Sequence, residues 1–293
     1  MESFICNNSP QESSNDLQHF ILTRFNLLLW NKDKEKNRVR SVEWLEHRFF
    51  LFEKYCLPSI KSQTCQGFEW IVLFDSSTPE RFKERIEEYK KECQQLIPVY
   101  VEPQKGRCFA EIFRAEVIKR LKAKRVLTTY LDNDDALNIR FVEDLQQRAA
   151  SLNNTTFVYY DEGYQFYTDY NYVMQIHYPR NHFLSVVEDG NPNTIRGIYG
   201  FGSHYYINKL KGVKIEHVKS QPMWCEVIHD RNMGNDAYFL DAKMMRDEHL
   251  LIESFGIQEK VCYGVGFYLF RFMPRYLKTF IRRCGYRIFG RHW

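Results

Sequence analysis

Short apolar runs and segments of helical spacing alternate along the first half of this chain. The apolar runs predict β-strands at residues 20–29, 68–74, 97–101 and 125–131. The segments that predict helices span residues 42–60, 79–95, 108–123 and 138–152. Pro58 is expected to bend or end the first of these helices. Strands and helices that alternate at this spacing predict βαβ units and a mainly parallel central sheet.

Aromatic and β-prone residues dominate the chain after residue 155. Four such runs are separated by Gly, Asn, Asp and Pro, and they span residues 156–160, 164–167, 172–177 and 198–207. We interpret them as a mixed, partly antiparallel extension of the same sheet rather than as a separate domain. The chain is therefore expected to have a disordered polar tail (1–18), one Rossmann-like α/β domain (19–260) and a basic C-terminal segment (261–293).

Composition and charge narrow the class of protein. Hydrophobic residues make up 44% of the chain and charged residues 27%, as in ordinary globular proteins. The formal net charge of only +4 does not favour a nucleic-acid partner. Eight cysteines lie far apart without a C-x-x-C pair, which is typical of reduced thiols in a cytoplasmic protein. The first residues lack a basic start followed by an apolar run, so no secretory signal is expected.

Carboxylates crowd the end of the fourth predicted strand. Asp132, Asp134 and Asp135 lie within four residues and directly follow an apolar run. Ligands of parallel sheets bind at the carboxyl ends of strands, where Thr23, Arg24 and Asp75 are also expected. Three neighbouring carboxylates repel one another, and a hard cation such as Mg²⁺ or Mn²⁺ would relieve that repulsion. The alternative is a solvated acidic turn in which Asp135 caps the following helix.

The strand-ending sequence LDNDD resembles the D-x-D motif of GT-A type nucleotide-sugar glycosyltransferases. More narrowly, several short motifs resemble a bacterial family of rhamnosyltransferases over residues 20–240. They are TRFN at 23–26, LPSI with QT at 57–64, FEW at 68–70, Asp75 with Thr78-Pro79, and PMW at 222–224. The resemblance implies a GT-A fold with a nucleotide-binding half (19–153) and an acceptor half (154–260). It also implies a metal, Mn²⁺ or Mg²⁺, held by the D-x-D residues Asp132 and Asp134.

Further donor contacts follow from the same resemblance. Thr23 and Asp75 fall where such enzymes recognise the base and ribose, and a carboxylate can accept from a base N–H or a ribose hydroxyl. Asp75 could instead cap a helix. Arg107 and Arg114 lie on the approach to the helix before the D-x-D, where related enzymes place donor-binding residues. Either guanidinium could pair with the diphosphate, or could lie on a solvated helix face.

The segment around residues 224–232 combines a tryptophan with several titratable side chains. Glu226, His229 and Asp230 are the candidates for the base that removes the proton of an acceptor hydroxyl in an inverting transfer. His229 could instead complete the metal site together with Asp132 and Asp134, since imidazole also binds Mn²⁺-type ions. Structural roles for these residues remain open at this point.

The C-terminal segment alternates bulky apolar and basic residues. After Lys260 there is no acidic residue, and seven basic residues follow: Arg271, Arg275, Lys278, Arg282, Arg283, Arg287 and Arg291. This composition is typical of a helix that lies in an anionic membrane interface. The alternative is a terminal helix that packs on the core through Leu277, Phe280 and Ile281. The first interpretation places the protein in the cytoplasm, peripherally on the inner face of the cell membrane.

The resemblance and the motifs together predict transfer of a single sugar, with rhamnose as the expected donor sugar. The donor is a nucleoside-diphosphate sugar, and the acceptor is a glycan or a lipid-linked glycan. A nucleotidyltransferase on a similar fold is the enzymatic alternative, but it would need a Gly-rich, Lys-containing loop where this chain has TRFN at residues 23–26. The non-enzymatic alternative is a scaffold that binds carbohydrate without transferring it.

Overall fold

The computed structural model describes most of the chain between residues 16 and 284. The described residues are 16–27, 29, 41–152, 154–229, 242–262, 264, 269–270, 273–274, 277–278, 280–281 and 284. None of the helices within these ranges is both long enough and apolar enough to cross a membrane.

A seven-stranded sheet forms the centre of the fold. Its strands in chain order are β1 (Leu17–Arg24), β2 (Glu69–Asp75), β3 (Leu96–Val101), β4 (Arg125–Tyr130), β6 (Thr156–Tyr160), β9 (Leu184–Asp189) and β10 (Lys214–Val218). Their order across the sheet is β10-β6-β9-β4-β1-β2-β3. All neighbours pair in parallel except β9, which is antiparallel to both β4 and β6. The predicted α/β class with a mainly parallel central sheet is confirmed.

Helices cover this sheet between the strands. They are α1 (Val42–Leu51), α2 (Leu57–Lys61), α3 (Glu80–Glu92), α4 (Phe109–Arg120), α5 (Phe141–Ala149) and α6 (Leu250–Phe255). The prediction that Pro58 bends or ends the first helix is only partly right. A π-helical turn at Phe52–Cys56 joins α1 to α2, and the helix continues through Pro58 to Lys61. The wider turn changes the hydrogen-bond register just before the proline, which has no N–H to donate.

The remaining strands form a second sheet, so they do not all extend the first one as the sequence suggested. Its members are β5 (Ala136–Leu137), β7 (Glu162–Tyr167), β8 (Tyr172–His177), β11 (Trp224–Ile228) and β12 (Lys243–Met244), in the order β12-β8-β7-β11-β5. Only Asp161 separates β6 from β7, and the chain passes there from one sheet to the other. Trp224 covers Gly163 so closely that a Cβ at that position would lie about 2.1 Å from the indole.

The predicted strand at 198–207 is wrong. This segment consists of two 3₁₀ turns, Ile198–Phe201 and His204–Lys209. Gly197 and Gly202 have φ angles of 67° and 83°, and positive φ at both positions interrupts an extended chain. The strands β9 and β10 flank this region, and the sequence analysis missed both of them.

The parallel register brings the ends of three strands to one edge of the large sheet. β1 lies between β2 and β4, with Leu22 opposite Tyr130 and Arg24 opposite Leu73. Arg24, Asp75 and Asp132 therefore lie at or just beyond the carboxyl ends of neighbouring strands. The second sheet meets this edge through β5, which follows the acidic residues directly and pairs with β11.

Candidate functional site

Two of the clustered aspartates share a site with a histidine from a distant part of the chain. Ligand atoms of Asp132, Asp135 and His182 all lie within 4.8 Å of one another. The carboxylate of Asp135 is 1% exposed, whereas that of Asp132 is 33% exposed and faces the edge of the sheet. The two carboxylates at this spacing suit Mn²⁺ or Mg²⁺, and the imidazole is a ligand that a transition-metal ion such as Mn²⁺ accepts more readily than Mg²⁺ does.

The geometry of the turn explains why Asp135 faces this cluster. Its Oδ1 accepts the backbone N–H of Val227 at 2.9 Å, and its Oδ2 lies 2.8 Å from Nε2 of His182. The helix that follows begins only at Phe141, with Arg140 at its N-cap position. The alternative in which Asp135 caps that helix is therefore wrong, because both of its oxygens are directed to β11 and to His182.

Electrostatics couple Asp135 to His182. Burial raises the pKa of Asp135, and the nearby charges of Asp134 and Asp132 add to this effect, while the contact with His182 opposes it. Burial by itself lowers the pKa of His182, but the hydrogen bond and charge of Asp135 outweigh it and raise the pKa. A buried carboxylate stabilised by a neighbouring imidazole is a common feature of sites that bind charged ligands.

Asp134 lies in a different environment, although it is next to Asp135 in sequence. Its Oδ2 accepts from Nη1 of Arg48 at 2.7 Å and lies 3.0 Å from Nε2 of His229. Burial raises the pKa of Asp134, but the charge of Arg48 and the hydrogen bond with His229 bring it well below its ordinary value. The side chains of Arg48 and His229 are 13% and 3% exposed. The structure thus places the predicted ligands Asp134 and His229 in a buried charged cluster beside the Asp132 site.

Arg24 and three aromatic rings form the wall of the site next to Asp132. The guanidinium carbon lies 4.9–5.6 Å from the ring centroids of Phe109, Tyr130 and Tyr199. Nη2 of Arg24 donates to the hydroxyl of Tyr130 at 2.7 Å, and that hydroxyl lies 2.8 Å from both oxygens of Asp132. Among the residues that the structure describes, the buried Nε of Arg24 has no hydrogen-bond partner. A cation over aromatic faces is held firmly, and Arg24 thus fixes a positive charge beside Asp132.

Glu226 approaches the site from the second sheet. Residue 226 of β11 is in register with Gln165 of β7, and Nε2 of Gln165 donates to Oε2 of Glu226 at 2.6 Å. Burial raises the pKa of Glu226, and the charges of Asp134 and Asp132 raise it further. The charge of His182 and the bond from Gln165 act in the opposite direction. A buried carboxylate with a raised pKa next to a ligand site is suited to proton transfer.

Thr23 and Asp75, which were expected to recognise the donor, form hydrogen bonds with other residues of the protein. Trp70 donates its indole N–H to the hydroxyl of Thr23 at 2.8 Å, and Thr23 is fully buried. Oδ1 of Asp75 accepts the backbone N–H of Ser77 at 2.8 Å, which orders the turn before α3. These contacts favour structural roles, and donor recognition by either residue stays a prediction.

Arg107 and Arg114 do not meet at one place in the structure. Arg107 is exposed on a 3₁₀ turn before α4. Arg114 donates to the backbone oxygens of Pro192 and Ile195 at 2.7 and 2.6 Å, so it holds the loop after β9. Asp230 lies outside the described residues, and its expected role as a base stays a prediction.

The sequence analysis missed two residues of the site. His182 lies in a polar segment before β9, and it had no recognisable position because that strand was not predicted. The sequence did contain a signal for Arg48. It lies three positions after the core residue Leu45 on α1 and therefore on the same face of the helix, where an apolar residue is expected. A charged side chain at such a position needs a buried partner, and here that partner is Asp134.

Solved structures that resemble this chain include one in complex with UDP-GlcNAc and one described as a putative nucleotide-diphospho-sugar transferase. The chain matches residues 1–349 of S. aureus TarS in complex with UDP-GlcNAc at 12% identity and a TM-score of 0.42, covering 76% of this chain and 62% of that one. For the same fragment without a named ligand the identity is 11% and the TM-score 0.40, with 72% and 60% covered. The chain thus spans about 60% of the length of these fragments.

A third similar structure is described as a putative nucleotide-diphospho-sugar transferase from Desulfovibrio desulfuricans G20. Its identity to this chain is 9% and the TM-score is 0.35, and the match covers 72% of this chain and 82% of that one. Identities and scores this low identify neither a substrate nor a mechanism for this chain. No curated protein matches the chain.

A family model provides the stronger comparison. The model described as "Putative rhamnosyl transferase" matches residues 18–239. The matched region contains β1 to β11 and therefore includes Asp132, Asp135, His182 and Glu226. This chain belongs to the family of putative rhamnosyl transferases.

Proposed function

We propose that this protein is a glycosyltransferase that moves one sugar from a nucleoside-diphosphate sugar to a hydroxyl group of a glycan or a lipid-linked glycan. The observation that carries the proposal is the cluster of Asp132, Asp135 and His182 within 4.8 Å, at the carboxyl edge of the parallel strands inside the family domain. Membership of the family supports the reaction class and supports rhamnose as the sugar transferred.

Asp132, Asp135 and His182 would hold Mn²⁺ or Mg²⁺. When bound, such an ion neutralises charge that develops on the leaving diphosphate. Arg24 supports the same role, because its guanidinium is held over aromatic rings and lies 3.5 Å from Asp132. Positioned cations of this kind stabilise the transition state without reorganising during the reaction.

Glu226 is proposed as the base of an inverting transfer. Its carboxylate accepts the proton of the acceptor hydroxyl while the hydroxyl oxygen attacks the anomeric carbon. The bond from that carbon to the diphosphate breaks at the same time, and its electron pair leaves with the diphosphate. Gln165 fixes the orientation of Glu226 through the 2.6 Å hydrogen bond. This assignment is favoured over His229, whose Nε2 faces Asp134.

The C-terminal segment is proposed to hold the enzyme on an anionic membrane surface at the cytoplasmic face. Five large apolar side chains are exposed in its described residues: Leu269 (54%), Phe270 (82%), Leu277 (48%), Phe280 (49%) and Ile281 (63%). Apolar side chains alternate there with seven basic residues. Each basic residue contributes ~1 kcal/mol near an anionic surface, and together with the apolar groups they would give reversible attachment. The exposure supports this role over packing on the core.

The proposal is tested by thermal shift and by donor hydrolysis. A panel of UDP-, dTDP- and GDP-sugars is titrated with and without Mn²⁺, because a ligand at 100 times its Kd stabilises a protein by ~2.7 kcal/mol. Each kcal/mol corresponds to a rise of about 2–4 °C in Tm for a domain of this size. We expect one nucleotide class to stabilise the wild-type protein in an Mn²⁺-dependent way and to be hydrolysed slowly.

The control is Asp132→Asn, which keeps the size of the side chain and removes its charge. Loss of both the shift and the hydrolysis in this variant is the expected result. Stabilisation by saccharides alone, without any effect of nucleotide sugars or Mn²⁺, would instead identify a carbohydrate-binding scaffold and refute the enzyme.

A further inference from the structure

A cleft opens beside the candidate metal site, at the edge of the large sheet. It has a volume of about 220 Å³, and it is lined by Tyr159, Pro179, Arg180, His204, Asn208, Ile215 and His217. Pockets for drug-sized ligands measure roughly 300–1,000 Å³, so this cleft suits a single ring with its substituents. The imidazole of His204 is 6.1 Å from that of His182, between ring centroids. A residue of the cleft, His204, is thus a neighbour of His182 in the candidate metal site.

The floor of the cleft consists of two stacked rings, and the accessible one is His217, because Tyr159 is 2% exposed whereas the side chain of His217 is 43% exposed. Tyr159 of β6 and His217 of β10 are register neighbours, and their rings stack at 5.4 Å with an interplanar angle of 10°. Tyr205 and Tyr206 are 57% and 59% exposed on the turn that carries His204. Pockets that combine rings with a few oriented polar groups bind small cyclic ligands.

The polar groups of the cleft have fixed orientations. Nδ1 of His217 lies 2.7 Å from Oδ1 of Asp161, whose side chain is 4% exposed behind the ring. This contact leaves Nε2 of His217 as the nitrogen on the opposite side of the ring. The hydroxyl of Tyr159 donates to the backbone oxygen of His204 at 3.3 Å, which ties the floor to the neighbouring turn.

The charge of the cleft is that of Arg180. Among the described residues that line it, Arg180 carries the permanent charge and none is a carboxylate. Arg180 and Tyr159 line the same cleft, and the positive charge of Arg180 acts against the burial that raises the pKa of the Tyr159 phenol. Neutral sugars offer hydroxyl donors that carboxylates accept well, whereas a guanidinium pairs with a carboxylate or a phosphate.

We propose that this cleft is an acceptor subsite for a sugar ring that carries an anionic group, a carboxylate or a phosphate. The sugar ring lies against the exposed imidazole of His217, which is stacked on Tyr159, and the anionic group pairs with Arg180. This assignment rests on the proposed function, since it places the acceptor next to the transfer site. It makes negatively charged glycans the acceptor class of this enzyme.

The test compares each anionic probe with a neutral counterpart that lacks only the charged group. Binding to the full chain is measured by saturation-transfer NMR and calorimetry for p-nitrophenyl β-glucuronide against p-nitrophenyl β-glucoside, and for glucose 6-phosphate against glucose. We expect at least one anionic probe to bind ten times more tightly than its neutral counterpart. A preference for the glucuronide identifies a carboxylate, and a preference for the sugar phosphate identifies a phosphate. Competition by inorganic phosphate as strong as that of glucose 6-phosphate would show an anion site without sugar recognition, and would overturn the proposal.

Three variants locate the binding. Arg180→Ala should abolish the preference for anionic probes, and His217→Ala should weaken every probe that contains a sugar ring. Lys214→Ala is the matched control, because it also removes an exposed positive charge next to the cleft. Lys214 lies on the edge strand β10 with Ile215 and His217, but an odd number of positions from each. Side chains alternate along a strand, so Lys214 lies on the face of β10 opposite to the cleft. Equal binding of charged and neutral probes, or equal losses in Arg180→Ala and Lys214→Ala, would overturn the proposal.

The outcome is separable from that of the proposed function. Mn²⁺-dependent hydrolysis of nucleotide sugars by the wild-type protein is measured in the same preparation, without any saccharide probe. If hydrolysis is present and no anionic probe binds preferentially, the subsite is refuted and the transferase stands. If anionic saccharides bind but no nucleotide sugar is bound or hydrolysed, the proposed transferase is refuted, and with it the role of the cleft in acceptor binding.

Discussion

Asp134 and Asp135 are adjacent in sequence, and the structure predicts opposite consequences for removing their charges. Asp134 forms a buried ion pair with Arg48, with 12% and 13% of the two side chains exposed. In Asp134→Asn the amide can no longer balance the guanidinium, and Arg48 stays buried. Breaking a buried pair from one side costs about 3–5 kcal/mol. At about 2–4 °C per kcal/mol, the Tm of Asp134→Asn should fall by about 6–20 °C.

Asp135→Asn should be less destabilising, because its amide oxygen can still accept the N–H of Val227 and one repelling charge leaves the cluster. This variant should instead lose the Mn²⁺-dependent stabilisation by nucleotide sugars. Melting curves with and without Mn²⁺ and nucleotide measure both effects on one protein sample. Arg48→Met combined with Asp134→Asn should restore most of the lost stability, since replacing both partners of a buried pair is close to neutral.

The matched control for Asp134→Asn is Glu46→Gln, because Glu46 lies on α1 with Arg48, the ion-pair partner of Asp134. Glu46 is 48% exposed and pairs with Arg81 and Arg85 at 3.0 and 2.9 Å. Exposed pairs of this kind contribute about 0–1 kcal/mol, so the Tm should hardly change. The reasoning is refuted if Asp134→Asn melts like the wild-type protein and loses its response to Mn²⁺. Asp134 would then be a metal ligand, as the D-x-D resemblance implied.

Further results are expected for four variants and for the pH dependence of transfer. His182→Ala should lower Mn²⁺-dependent donor hydrolysis by about 100-fold, or ~2.7 kcal/mol, and wild-type rates in this variant would exclude His182 from the site. Glu226→Gln should lower kcat by about 10²-fold or more while the donor constant is unchanged. Burial raises the pKa of Glu226, and only its ionised form can accept a proton. As the pH is lowered, the rate of transfer should therefore begin to fall at a pH above the ordinary glutamate pKa of about 4.3. Gln165→Leu should move this limb of the pH profile to higher pH, since the hydrogen bond from Gln165 lowers that pKa, and an unmoved limb would argue against Glu226 as the base. Deleting the residues after Pro274 should release the protein from anionic vesicles with little change in Tm, and a collapsed Tm with unchanged vesicle binding would show that the segment packs on the core.

The first half of the fold was readable from sequence because its strands are continuous apolar runs and its helices have polar faces. β2 and β4 are buried on both sides by the helices between them, so almost all of their residues are apolar or small. β10 was not predicted, because this edge strand has the sequence KIEHV and therefore lacks a continuous apolar run. Only Val218 of its five residues is buried. β9 was missed although LSVVED is mostly buried, since no helical segment precedes it and it runs antiparallel to its neighbours.

The composition of the site was predictable, but the assignment of its members was not. A strand that ends in three carboxylates indicates a charged site at its carboxyl end, whatever the rest of the fold. In the structure Asp132 lies just beyond the end of β4, as this pattern predicts. Which of Asp134 and Asp135 faces the cluster depends on Arg48, His182 and Val227, which are at least 47 positions away from the residue they contact. In an irregular turn, successive side chains follow neither the helical period nor the alternation of a strand. Partners distant in sequence therefore decide where the carboxylates of these two adjacent aspartates point, and spacing within the motif does not distinguish the one that faces His182 from the one that pairs with Arg48.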